Sequence, residues 1–125
     1  MSAHARIVRW DELALEKVTD MISRKIVTGE REMLAQIYLK RGAIVPMHQH
    51  ESEQITYVLQ GAMKFLVGGE DITVREGEVL HIPSWVPHQA EALEDTFELD
   101  LFSPIRQDWL DKTDDYFHAT PAESS

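Results

Sequence analysis

The chain contains no cysteine, which excludes disulfides and thiolate metal ligands. Any metal must be held by histidine, carboxylate, amide or water. No stretch approaches the ~18 apolar residues of a membrane span, and "MSAHARIVRW" lacks the apolar run of a signal peptide. A soluble cytoplasmic protein without a membrane partner is therefore expected. Positive charge is also scarce: 12 Lys and Arg face 22 Asp and Glu, for a formal net charge of −10. Nucleic-acid binders usually carry a basic footprint, so no nucleic-acid partner is expected. The same deficit means that an anionic ligand needs a local positive centre.

Helical periodicity is weak, confined to a turn or two in "WDELALEKV" and an irregular or helical tail in "IRQDWLDKTDDYF". What the sequence has instead is a series of short β-like runs cut by glycine and proline. "DMISRKIVTG", "REMLAQIYLKRG", "EQITYVLQG", "AMKFLVGG", "EDITVREG", "EVLHIPSWVP", "HQAEAL" and "TFELDLFSP" follow one another. Such spacing predicts an all-β sandwich or barrel of roughly eight to ten strands, with a cavity at its mouth. "LVGGED" and "TVREGE" read as hairpin connections, since glycine supplies the positive φ they need. With 125 residues, one domain over 1–125 is expected, its core at about 21–106. Segments 1–20 and 107–125 are expected to be peripheral, with His4 and His118 as bystanders.

"MHQHESEQ" carries the chemistry. Residues two apart on a strand share a face, so His48 and His50 present their imidazoles side by side. Glu51, Glu53 and Gln54 each remain candidates to complete a metal site. Near the other end, "FELDLFSPIR" alternates Phe97, Leu99 and Leu101 with Glu98, Asp100 and Phe102. With the leucines toward the core, the polar set either faces water from an edge strand or lines a cavity.

The frame around the histidines resembles the cupin signatures. Gly42-AIVPM-His48-Gln49-His50-ESE-Gln54-ITYVLQ-Gly61 follows the first, with Gln54 where the family usually has Glu. Gly77-EVLHI-Pro83-SWVP-His88 follows the second, with Trp85 in place of the usual Gly and Ala92 in place of the terminal Asn. The two are separated by the 15 residues Ala62 to Glu76. This resemblance implies a single-domain cupin, a double-stranded β-helix or jelly-roll barrel. It also implies a metal site of His48, His50, Gln54 and His88 for one divalent transition metal (Ni, Zn, Mn, Fe or Co). Glu51 and Glu53 then become loop carboxylates, and His81 a neighbour that could face the cavity. An amide in place of a carboxylate leaves the ion its full +2 charge, which favours Lewis acidity and anion binding over oxidation.

Three stretches, "LKRGAIVPMHQHESEQITYVLQG", "IPSWVPHQAEALED" and "LDLFSPIR", are similar to the KdgF-type pectin-degradation cupins. That resemblance implies ring opening of 4,5-unsaturated uronate monosaccharides to 4-deoxy-5-keto-uronates. It assigns acid/base catalysis to Asp100, substrate binding to Phe102, and both catalysis and anion binding to Arg106. The alternatives are a dioxygenase-type cupin and a non-catalytic module binding a sugar or small acid. The expected partner is a small anionic carbohydrate or other small molecule. A homodimer formed through "ARIVRW" or "RKIVTG" is expected as well.

Overall fold

The structure, a computed structural model, describes residues 4–118. Ten strands dominate it: β1 (Glu16–Lys17), β2 (Ile22–Thr28), β3 (Met33–Leu39), β4 (Ile44–His48), β5 (Glu53–Gln60), β6 (Ala62–Val67), β7 (Glu70–Arg75), β8 (Val79–Ile82), β9 (His88–Ala92) and β10 (Thr96–Ser103). They form two antiparallel sheets, six-stranded in the order β1-β2-β3-β10-β5-β8 and four-stranded in the order β4-β9-β6-β7. The chain crosses between sheets repeatedly, giving the expected jelly roll.

Period-two alternation sets the core. In β3, Met33, Ala35, Ile37 and Leu39 point inward and are buried, as is Val58 of β5. Ile82 of β8 extends this inner face, and Met63 and Phe65 of β6 with Ala90 and Ala92 of β9 meet it from the opposing sheet. Gly61 makes the β5–β6 turn at φ 95°. A Cβ there would lie 2.5 Å from both the Asp95 carbonyl and the Thr96 hydroxyl, so no other residue fits.

The "LVGGED" hairpin is observed between β6 and β7, with Gly68 and Gly69 both at positive φ. "TVREGE" is not a hairpin: β7 pairs with β6, whereas β8 pairs with β5 in the other sheet. Gly77 therefore serves a crossover. "WDELALEKV" forms only a 3-10 turn at Trp10–Glu12 before β1.

Strand β10 also departs from the edge-strand alternative, since it pairs with β3 on one side and β5 on the other. Its leucine face looks outward: Leu101 is 38% exposed, while Glu98, Asp100 and Phe102 are buried inside. The tail is not peripheral either. Helix α1 (Gln107–Asp111) buries Trp109, and a following 3-10 turn (Asp115–His118) returns Tyr116 and Phe117 to the cavity. The side chain of His118 lies outside what the structure describes.

Candidate metal centre and active site

His48 ends β4, His50 follows in the loop before β5, and His88 opens β9. The side-by-side arrangement of the first two thus comes from a strand end and a loop rather than one continuous strand. β4 and β9 pair in register at His48 and His88. The ligand atoms of the three histidines lie within 4.8 Å of one another. Each Nδ1 is 2.8 Å from a backbone carbonyl: Pro46 for His48, Ser52 for His50 and Val86 for His88. Nδ1–H donates to that carbonyl, so Nε2 carries the free lone pair in all three rings.

The Nε2 atoms of His50 and His88 are buried and have no hydrogen-bond partner among the described residues. Buried polar atoms without partners are costly, and a cation between the three rings would satisfy them. Burial foremost, then the neighbouring His88, lowers the His48 pKa to about 3. Burial and Arg106 lower that of His50 to about 4. Burial likewise lowers that of His88. All three are therefore neutral near pH 7, the form that ligates metal.

Gln54, on the inner face of β5, sits beside His50. Its Nε2–H donates to Thr56 Oγ1 at 2.9 Å, which leaves Oε1 as its free atom. Thr56 in turn donates to Asp100 Oδ1 at 2.7 Å. Asp100 and Glu98, two apart on the inner face of β10, are both buried, and Glu98 Oε2 has no hydrogen-bond partner among the described residues. Burial raises Asp100 to about 6, against the opposing hydrogen bond from Thr56. Burial and the Asp100 charge raise Glu98 further above the usual carboxyl range.

Arg106 is 3% exposed. Its Nε and Nη2 fork onto Asp108 at 3.0 and 2.8 Å, and Nη2 also donates to the Tyr116 hydroxyl at 3.1 Å. Among the described residues Nη1 is buried without a partner, so one donor of a fixed cation stays open in a cavity that Arg106 lines with His48 and His88. That is the local positive centre an acidic protein needs for an anion. Phe102 is packed edge-to-face against His50 and Trp109. It is a wall of the site and offers no open face for stacking.

His81 does not face the cavity. Its side chain is half exposed and meets Glu53 on the outer surface. Glu51 is exposed too, so neither loop carboxylate reaches the three histidines. Trp85 adopts φ 64°, a conformation that costs a bulky residue about 1–2 kcal/mol. Its N–H donates to the His50 carbonyl at 2.8 Å, so the strained turn pins the loop that carries a histidine.

Four participants had weaker signals or none. Glu98 shares its face with Asp100, as alternation along β10 indicates, while Thr56 sits two residues from Gln54 on the same face of β5, where alternation could have found it. Arg24, 1% exposed and lining the cavity, and Tyr116 of the tail carry no periodic or motif signal.

The chain matches the family described as cupin domain over residues 36–103. It is 32% identical over 103 residues to the pectin degradation protein KdgF of Dickeya dadantii, covering 80% of this chain and 94% of that one. An oxalate-binding protein of Thermotoga maritima is 27% identical over 98 residues, covering 68% and 81% of the two chains. Among solved structures, KdgF from Halomonas sp. superposes with a TM-score of 0.79 at 36% identity, covering 85% of this chain and 99% of that one. Signatures, fold and relatives agree: the chain belongs to the cupin family.

Proposed function

We propose that this cupin is a metal-dependent enzyme that opens 4,5-unsaturated uronate monosaccharides to 4-deoxy-5-keto-uronates in pectin or alginate breakdown. The observation that carries this reading is a cluster of three neutral histidines, two of which, His48 and His88, line one cavity with Gln54, Asp100 and Arg106. Its similarity to KdgF, a protein named for pectin degradation, points the same way.

The three Nε2 atoms and Gln54 Oε1 would hold a divalent ion, which supplies Lewis acidity and positive charge toward a carboxylate. Arg106 Nη1 binds an anionic oxygen of the substrate, the guanidinium being held by its fork onto Asp108. Asp100 takes the proton of the anomeric hydroxyl as the C1–O5 bond breaks. C1 becomes an aldehyde, and the ring oxygen leaves as the C5 enolate. A proton delivered to C4 then gives the 5-ketone. One proton leaves and one arrives, so no oxidant is consumed. A carboxyl whose pKa is about 6 suits both directions of transfer near neutral pH. Phe102 walls the cavity and keeps water from the reacting atoms.

The homodimer is part of the proposal, carried by the exposed Ile7 and Val8 of the N-terminal segment; sedimentation of the full chain tests it. A second reading, a module that binds a small acid without turnover, is favoured by the cavity's free volume of about 40 Å³ and by the oxalate-binding relative. Incubation with unsaturated galacturonate separates the two. Loss of the absorbance of the C4–C5 double bond supports the enzyme, and saturable binding with the absorbance intact supports the module. Turnover only in air would instead support a dioxygenase.

A further inference from the structure

The C-terminal segment is built into the site by contacts that the reaction above does not require. Arg24 of β2 is nearly fully buried and pairs with Glu16 of β1 at 3.0 Å and with Asp114 of the tail at 2.8 Å. Its guanidinium lies 4.2 Å from the Trp109 ring centroid, and that of Arg106 lies 4.9 Å from the same centroid. Trp109 thus has two cations within cation–π distance of its ring. At Lys112 the chain turns through φ 58°, which brings Tyr116 back over the histidines.

Tyr116 makes two kinds of contact there. Its ring stacks on His48, centroids 4.2 Å apart and planes 8° from parallel. Its hydroxyl accepts hydrogen bonds from Arg106 Nη2 at 3.1 Å and Trp109 Nε1 at 3.2 Å. The ring therefore restrains one histidine, and the hydroxyl restrains the guanidinium whose Nη1 is open. With the segment docked, the free volume of about 40 Å³ holds only a few water molecules. A sugar acid requires the segment to move.

We infer that Tyr116 is a positioning residue that orients His48 through its ring and Arg106 through its hydroxyl, delivered by a C-terminal flap that the Arg24–Asp114 pair latches. The inference rests on the reading of His48 as a metal ligand for its first half only. The flap couples entry to assembly: while open it admits the anion, and on closing it fixes both groups.

Three readouts test this. Zinc-loaded protein is challenged with excess chelator and metal release is timed. Affinity for galacturonate, a stable uronate, is measured by calorimetry. Hydrogen exchange follows the amides of residues 47–50 and 105–117. Tyr116→Ala is expected to release zinc about tenfold faster, the scale for loss of a group that orients a ligand, and to bind galacturonate several-fold more weakly. Tyr116→Phe keeps the ring and removes the hydroxyl, so zinc release should stay at the wild-type rate while galacturonate affinity falls. Asp114→Asn should loosen the flap, accelerating exchange in 107–117 and weakening both functions to a smaller degree. A side chain that merely fills space would not separate the two readouts. Tyr116→Phe moving both equally, or Tyr116→Ala moving neither, overturns the inference. Should the wild type take up no zinc, or bind no galacturonate, the proposed function fails at that point and the exchange readout decides the flap. Equal protection of both stretches in wild type and Tyr116→Ala would then overturn it.

Discussion

The two faces of β10 invert the usual relation between polarity and burial. Inward it presents Glu98, Asp100 and Phe102; outward it presents Leu99 and the exposed Leu101, beside exposed Ile55 and Tyr57 of β5 and Val79 of β8. Burying carboxyls costs stability unless they are paired or protonated. A strand serving the fold alone would be turned the other way. Its actual orientation puts two acids next to Thr56, Gln54 and the histidines, so that the inner face serves chemistry and the outer face is left apolar.

The largest effect should come from the inner side. His88→Ala removes a buried ring nitrogen from the group of three. Elemental analysis should find the metal lost, and turnover of unsaturated galacturonate should fall to background. Next comes Asp100→Asn, with an expected loss of about 10²–10⁴ in turnover, the range of general acid/base catalysis. Its effect on stability should have the opposite sign. The folded pKa of about 6 exceeds the ordinary carboxyl value, so the folded state binds more protons than the unfolded state between about pH 4 and 6. Stability is full below that window and falls as pH rises through it. Urea unfolding of the metal-stripped proteins should therefore show Asp100→Asn gaining on wild type by about 2 kcal/mol from pH 4 to pH 8.

Gln54→Glu probes the same wall more gently. The added carboxylate should retain the metal and reduce its pull on an anionic substrate, raising KM several-fold in steady-state kinetics. The smallest effect belongs to the outer face. Leu101→Ser should change unfolding free energy by less than about 0.5 kcal/mol and leave turnover intact. A large loss of activity there would mean that the division between the faces is wrong.

The legible part of the molecule was the part with strict spacing. Gly42 and Gly61 fix the first signature because both sit at positive φ, and the three histidines fall within that frame and the second. Alternation along β10 separated Glu98 and Asp100 from the leucines but could not tell which face was inside, since period two is symmetric about the sheet. The same symmetry leaves the facing of His81 open, and its partner is Glu53 on the outer surface. The Gly77 turn could not reveal that it joins two sheets, because pairing is decided by tertiary packing. The tail was opaque for a different reason. Trp109, Asp114 and Tyr116 act through Arg24, Arg106 and His48, partners up to 90 residues away in the chain, and no local pattern encodes such contacts.

The most direct measurement follows the absorbance of the C4–C5 double bond of unsaturated galacturonate, using metal-loaded and chelator-stripped protein under air and under argon. The absorbance should decay at the same rate in both atmospheres with the loaded protein, stop after stripping, and resume when a divalent metal is restored. Decay that survives stripping, or that requires oxygen, would contradict a metal-dependent ring opening by His48, His50, Gln54, His88 and Asp100.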